Sequence, residues 1–284
     1  MPRKELQEVD LWLPDFYTLT PEELFEIQPG ETEPVISISE RLPRLTRAIG
    51  GYVLPKFNAG ISAQAREVLS GPAVIASNHL DFTDILVLAL GMRKAGLKEP
   101  YFLAMAELFD SRFPVVADYF TSWGGIPLDR ARLSSGKGMK HLLEMTDYVL
   151  NELGHPLVIF PEGGIYPKDK KYPHRIENTV SRTPLMIAKN SDVPLVVAGI
   201  FGTRMALLKS IFGLTNRVGL SLMDVFTPDE VEKVRKRKDV PFAPEMAMRI
   251  AMQRAADRAK VLSVCEPGLE LSSRTFRIAT DPIM

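Results

Sequence analysis

The sequence predicts a single α/β domain: a mixed, largely parallel sheet flanked by helices, with an N-terminal extension and a C-terminal helix. Three observations carry that expectation. From residue 57 to residue 225, short apolar runs alternate with longer segments of helical periodicity, the pattern of an α/β chain. Several of the runs end in glycine or polar residues, as strands do where an open sheet places its ligand sites. At 284 residues, the chain is long enough to bury one substantial core.

Residues 1–40 form an acidic extension, with ten acids against Arg3 and Lys4 as the only bases. Within it one short helix is expected from Pro21 to Ile27, with Thr20 as its cap and Glu23 closing a capping box. From Ile38 to Lys56, apolar Leu42, Leu45, Ile49, Tyr52 and Val53 recur at helical spacing among Arg41, Arg44, Arg47 and Lys56. That is a basic amphipathic helix. It either lies on a membrane surface or packs on the core with its polar face solvated. Strands are expected at Phe57–Ile61, Ala73–Ser77, Tyr101–Met105, Gly125–Leu128, Pro156–Phe160, Pro194–Ile200 and Val218–Val225. Helices are expected at Asp84–Ala95, Leu108–Phe113, Ser135–Leu153 and Thr183–Lys189. The α/β domain, with the amphipathic helix at its start, thus falls in residues 41–228, and residues 229–284 form a basic C-terminal segment with a helix from about Glu245 to Leu262. The basic run Lys233–Lys238 and the loop Lys168 to Arg175 read first as solvated surface, and second as contacts for anionic lipid or the phosphates of a nucleotide carrier.

Composition narrows the function. Thirty-five basic residues balance thirty-five acidic ones, whereas a nucleic-acid binder carries a basic excess. The single cysteine, Cys265, excludes an intramolecular disulfide and fits a reducing cytoplasm. No signal-peptide pattern opens the sequence, and no apolar run approaches the roughly 18 residues of a membrane span. A membrane, if met, is met at its surface. No Cys/His cluster has zinc spacing. Ser134 to Gly138 lacks the first glycine and the final Ser or Thr of a phosphate loop. Neither a metal nor a bound cofactor is expected.

The chemistry concentrates in four stretches. The first is Val74 to Asp84, an apolar run ending in Asn78-His79 with a carboxylate at Asp84. A carboxylate at a helix start is favoured by the dipole and can turn back toward His79. The others are Gly124 to Arg130, Phe160-Pro161-Glu162-Gly163-Gly164, and the apolar run from Val193-Pro194. Strand ends in one sheet converge, so these tips are expected to share a pocket. A histidine held by a carboxylate suits general-base work. No Gly-x-Ser-x-Gly elbow is present, so a substrate hydroxyl rather than a serine would be the nucleophile.

In order and spacing these motifs resemble the glycerolipid acyltransferase family, whose type activity is 1-acylglycerol-3-phosphate O-acylation. His79 and Asp84, separated by four residues and preceded by Asn78, match its first motif; Gly125 to Arg130 matches the second, Phe160 to Gly163 the third and Val193-Pro194 the fourth. The resemblance spans roughly residues 45 to 225. It implies acyl transfer from acyl-CoA or acyl-carrier protein to the hydroxyl of a lysophospholipid, with lysophosphatidic acid the leading acceptor. In that reading His79 is the base and Asp84 orients it. Asn78, Arg130, Glu162, Gly163 and Gly164 bind substrate. The protein would work from the cytoplasm, peripherally at the membrane face. Arg130 would clamp a phosphate, its alternative being an ion pair with Asp129. Glu162 would orient the acceptor, hold Arg130 or tie down its own loop. Gly163 and Gly164 allow a tight turn and offer N–H groups to an oxyanion. One departure stands out: where the family continues threonine-arginine-serine, this chain has Gly164-Ile165-Tyr166. That keeps other acceptors open, such as a glycolipid or an acylated amino acid. A lipid-binding relative without turnover is a separate alternative, against which the intact His79 and Asp84 stand.

Overall fold

A computed structural model describes residues 19–26, 36, 56–110, 112, 114–133, 136–165, 176, 180–203, 217–236 and 243–264. The expected amphipathic helix, Ile38 to Lys56, lies outside these residues except for Lys56 at its end, and so does the loop Lys168 to Arg175.

The seven expected strands all form: β1 (Lys56–Ile61), β2 (Val74–Ser77), β3 (Tyr101–Met105), β4 (Gly125–Leu128), β5 (Leu157–Ile159), β6 (Leu195–Phe201) and β7 (Arg217–Phe226). They make one sheet in the order β1-β7-β6-β2-β5-β3-β4. β6 and β7 pair antiparallel, with a register shift between Val197 and Ala198. Every other neighbouring pair is parallel. Five strands therefore run one way, and β1 and β7 run the other. β2 sits inside the five, with all four of its residues buried, which is why it reads as an unbroken apolar run rather than an alternating one. The C-terminal ends of β4, β3, β5, β2 and β6 meet along a single edge, where crevices form in open α/β sheets.

The helices are α1 (Pro21–Phe25), α2 (Ala63–Val68), α3 (Asp84–Lys94), α4 (Pro114–Ser122), α5 (Arg130–Leu133), α6 (Gly136–Asp147), α7 (Thr183–Asn190), α8 (Pro228–Lys236) and α9 (Ala243–Val264). α6 runs on into a π-helical turn, Tyr148–Glu152, so the expected helix to Leu153 is present with a wider last turn. α1 carries the capping box read from Thr20 and Glu23, but it stops at Phe25 because Glu26 is already extended. The expected helix Leu108–Phe113 is a correction. A 3₁₀ turn occupies Ala106–Phe109, and the α-helix starts at Pro114, whose fixed φ favours a first turn. Its residues Phe120 and the following Trp123 then anchor it in the core.

α8 is a helix the sequence reading did not expect, although Lys233, Arg235 and Lys236 are exposed, as the surface reading of the basic run has it. Thr227 and Glu230 form a reciprocal cap (Thr227 N to Glu230 Oε2 2.8 Å; Glu230 N to Thr227 Oγ1 3.4 Å), and Val231 buries the inner face. The basic residues still point outward. α9 lies across β6, β7 and β1, and its contact depends on small residues. A Cβ built on Gly199 would fall 2.0 Å from the Ala255 carbonyl carbon, and one on Gly219 would fall 1.9 Å from the Ala259 oxygen.

Candidate active site

His79 leaves the C-terminal end of β2 just as Glu162 leaves β5, the neighbouring strand. The His79 backbone N–H donates to Glu162 Oε1 at 2.9 Å, so one carboxylate fastens the two loops together. Glu162 is buried. It ties down a loop as one of its expected roles required, but the loop it holds is the one carrying the histidine.

Asp84 opens α3 and is fully buried. Its Oδ2 lies 2.9 Å from His79 Nδ1 and also accepts the backbone N–H groups of Leu80 (2.5 Å) and Asp81 (2.9 Å). Three donors thus converge on one oxygen, which accepts from each. Nδ1 therefore carries the proton toward Asp84, and Nε2 keeps the lone pair. The imidazole stacks on Phe160 with centroids 4.2 Å apart and planes 21° from parallel. A carboxylate at one edge and a ring on one face fix the imidazole's orientation. Phe160 is the residue whose part sequence reasoning missed, although it stands in the same motif as Glu162. The loop itself is pinned because Thr83 N and Oγ1 both donate to Asp81 Oδ1 (3.1 and 3.2 Å), and Thr83 Oγ1 reaches the Thr203 carbonyl beyond β6 at 3.4 Å.

A cavity of about 590 Å³ opens beside this pair, within the ~300–1,000 Å³ common for small-molecule sites. His79, Glu162, Gly163 and Gly164 line it together. Apolar walls come from Ile85 of α3, Leu103 of β3, Leu128 of β4 and Phe120 of α4. Ser181 and Thr183, at the start of α7, add hydroxyls to the wall. Their chain positions carry no motif signal.

Two sequence expectations change here, and a third falls outside the described residues. Asn78 does not line the cavity. It is fully buried, and its amide spans from β2 to β6: Nδ2 donates to the Ile200 carbonyl at 3.0 Å, and Oδ1 accepts the Ile200 N–H at 2.7 Å. Asn78 therefore braces the strand end that presents His79. Gly163 has φ of +74°, the turn conformation glycine allows, but its N–H donates to the Phe160 carbonyl at 2.9 Å. It is unavailable to an oxyanion, and Gly164 is the remaining candidate of the two. Arg130 opens α5, but its side chain lies outside the described residues. Asp129, its alternative partner, pairs with Arg132 at 3.4 Å. Among the described residues no group of His, Cys, Asp or Glu is arranged to hold a metal.

A family model described as acyltransferase matches residues 43–199. The chain belongs to the acyltransferase family. The matched span holds β1 to most of β6, and with them all four motifs. No curated protein matches this acyltransferase. Among solved structures it is similar to the 1-acyl-sn-glycerophosphate (LPA) acyltransferase PlsC from Thermotoga maritima, at 17% identity, covering 79% of this chain and 82% of that one, with a TM-score of 0.48.

Proposed function

We propose that the protein transfers a fatty acyl group from acyl-CoA or acyl-carrier protein to the free hydroxyl of a lysophospholipid, with lysophosphatidic acid the leading acceptor and phosphatidic acid its product. One observation carries this reading: a histidine clamped through Nδ1 by a buried carboxylate lines a largely apolar cavity with its other nitrogen uncommitted among the described residues. Nε2 takes the proton of the acceptor hydroxyl as the oxygen attacks the thioester carbonyl carbon. The tetrahedral intermediate expels the thiolate as the C–S bond breaks, and the imidazolium returns the proton to sulfur. Asp84 stabilises the imidazolium between these steps. No serine intermediate is involved. The thioester brings its own activation, so no cofactor enters.

Arg130 would hold the acceptor phosphate. A second acceptor class, with an uncharged head group such as a glycolipid or acylated amino acid, is favoured by Ile165. It stands where the resemblance expects an arginine, and it lines the cavity. A panel of acceptors offered with one labelled acyl-CoA tests both. The reading predicts acceptor-dependent product. Thiol release that no acceptor accelerates would mark a lipid-binding relative or a thioesterase instead. The substrates also imply work at the cytoplasmic face of the membrane, as a peripheral protein.

A further inference from the structure

Several large apolar side chains are exposed, and three of them meet at the cavity. Phe82 is 58% exposed, Met105 40% and Ile165 37%. These three come from separate segments: the loop before α3, the end of β3, and the loop after β5. All three line the same cavity, so together they form an apolar collar around its opening. Single exposed apolar side chains are ordinary; convergence on one rim is what marks an interaction surface.

The collar is also held in place. Phe82 lies between Asp81 and Thr83, which are hydrogen-bonded to each other. Thr83 is tied across to Thr203, so the loop on both sides of Phe82 is held. A further exposed pair, Val116 and Tyr119, sits three residues apart on α4, and α4 packs on the turn that follows Met105. Charge near the collar gives no anion-seeking face among the described residues. Asp81 and Glu107 flank it with acidic groups, and Arg112 is engaged by Asp110. Among the described residues no helix is long and apolar enough to cross a membrane.

We infer that Phe82, Met105 and Ile165 are the surface by which the protein dips into a zwitterionic phospholipid interface, with the cavity mouth facing the lipid. The occupant follows from continuity. Phe82, Met105 and Ile165 belong to the lining of a largely apolar cavity, whose proposed substrates are amphiphiles held in that interface. An acyl chain can then pass from bilayer to cavity without exposing its methylenes to water. Ile165 acquires a role here, since an apolar side chain at that position continues the rim. The inference takes the cavity's chemistry from the acyl-transfer reading but is tested by binding alone.

The test is co-sedimentation of the full chain with phosphatidylcholine vesicles, without substrate, in 0.1 M and 1 M NaCl (~10 Å and ~3 Å screening lengths). The wild type should sediment at both salts. The Phe82→Ser/Met105→Gln/Ile165→Ser variant should partition at least about tenfold more weakly, and Phe82→Ser alone severalfold more weakly. Met246→Ser/Ile250→Ser, at exposed apolar positions on α9, should bind as the wild type does. Near-ultraviolet circular dichroism checks that each variant is folded; if the triple variant unfolds, Phe82→Ser decides. Undiminished binding of the collar variant, equal loss in the α9 variant, or binding abolished by 1 M NaCl would each overturn the inference. Transfer assayed in detergent separates the two readings. Collar-dependent binding without transfer sinks only the enzymatic one, and transfer without collar-dependent binding sinks only the docking surface.

Discussion

Asp84 Oδ2 receives three hydrogen bonds while its Oδ1 is buried without a partner among the described residues. That asymmetry makes Asp84→Asn a sharp probe. Its amide oxygen can keep the two backbone donors, but its amide nitrogen would enter a site that offers no acceptor, and a neutral amide no longer stabilises an imidazolium. The expected result is a folded protein with kcat down roughly 10³- to 10⁴-fold, measured as acceptor-dependent thiol release. At this scale the sequence was legible in part. The histidine, its aspartate and Glu162 were singled out by the four motifs that the family resemblance rests on, and the structure brings the three together. Asn78 was misread as a substrate ligand. An asparagine beside a catalytic histidine looks the same in sequence whether its amide faces a substrate or the next strand. Only the β2–β6 pairing decides. Gly163 takes the tight turn expected of it, and that turn spends its N–H, a direction that sequence does not show.

Among the elements, α9 makes the clearest stability prediction. It approaches the sheet at Gly199 and Gly219, where a side chain would strike helix backbone rather than a movable side chain. Gly199→Ala should destabilise by at least about 1–3 kcal/mol, the usual cost of overpacking, read as a lowered denaturant midpoint. An unchanged midpoint would mean that α9 does not sit as described. α1 supplies a pH prediction. Phe25 contacts the Tyr101 ring edge-on at 5.5 Å and stacks on Tyr148 at 5.9 Å. Burial pushes the Tyr101 phenol up to about 12. A hydrogen bond to Glu26, helped by burial and neighbouring acids, pushes the Tyr148 phenol up to about 12. Both folded-state values exceed the ordinary 10.0, so the folded state holds these protons more tightly. Their stabilisation is complete below pH 10 and is lost as pH rises through 12. Urea midpoints should fall across that window, and Tyr101→Phe should flatten the fall more than the less buried Tyr148→Phe. The same caps show what sequence can give. Thr20-Pro21-Glu22-Glu23 was read as a helix start, whereas Thr227-Pro228-Asp229-Glu230, the same pattern, was passed over because the basic run after it drew the reading toward surface.

For the molecule as a whole, strand positions were legible because buried parallel strands are short apolar runs bounded by turns. Strand order was not. Nothing local says that β5, rather than a strand nearer in sequence, lies beside β2, yet that adjacency brings Glu162 to the His79 backbone. The cavity is likewise a product of topology, since its walls come from segments between residues 79 and 183. The collar was invisible for the same reason: Phe82, Met105 and Ile165 share no motif and meet only at the edge of the folded sheet.

The most direct measurement compares wild type and His79→Ala, both purified and folded, for transfer of a labelled acyl group from acyl-CoA across the acceptor panel. The account predicts acceptor-dependent product from the wild type and a loss of roughly 10² to 10⁴ in rate for the variant, the value of general-base assistance. A variant that retained near-full transfer would contradict it.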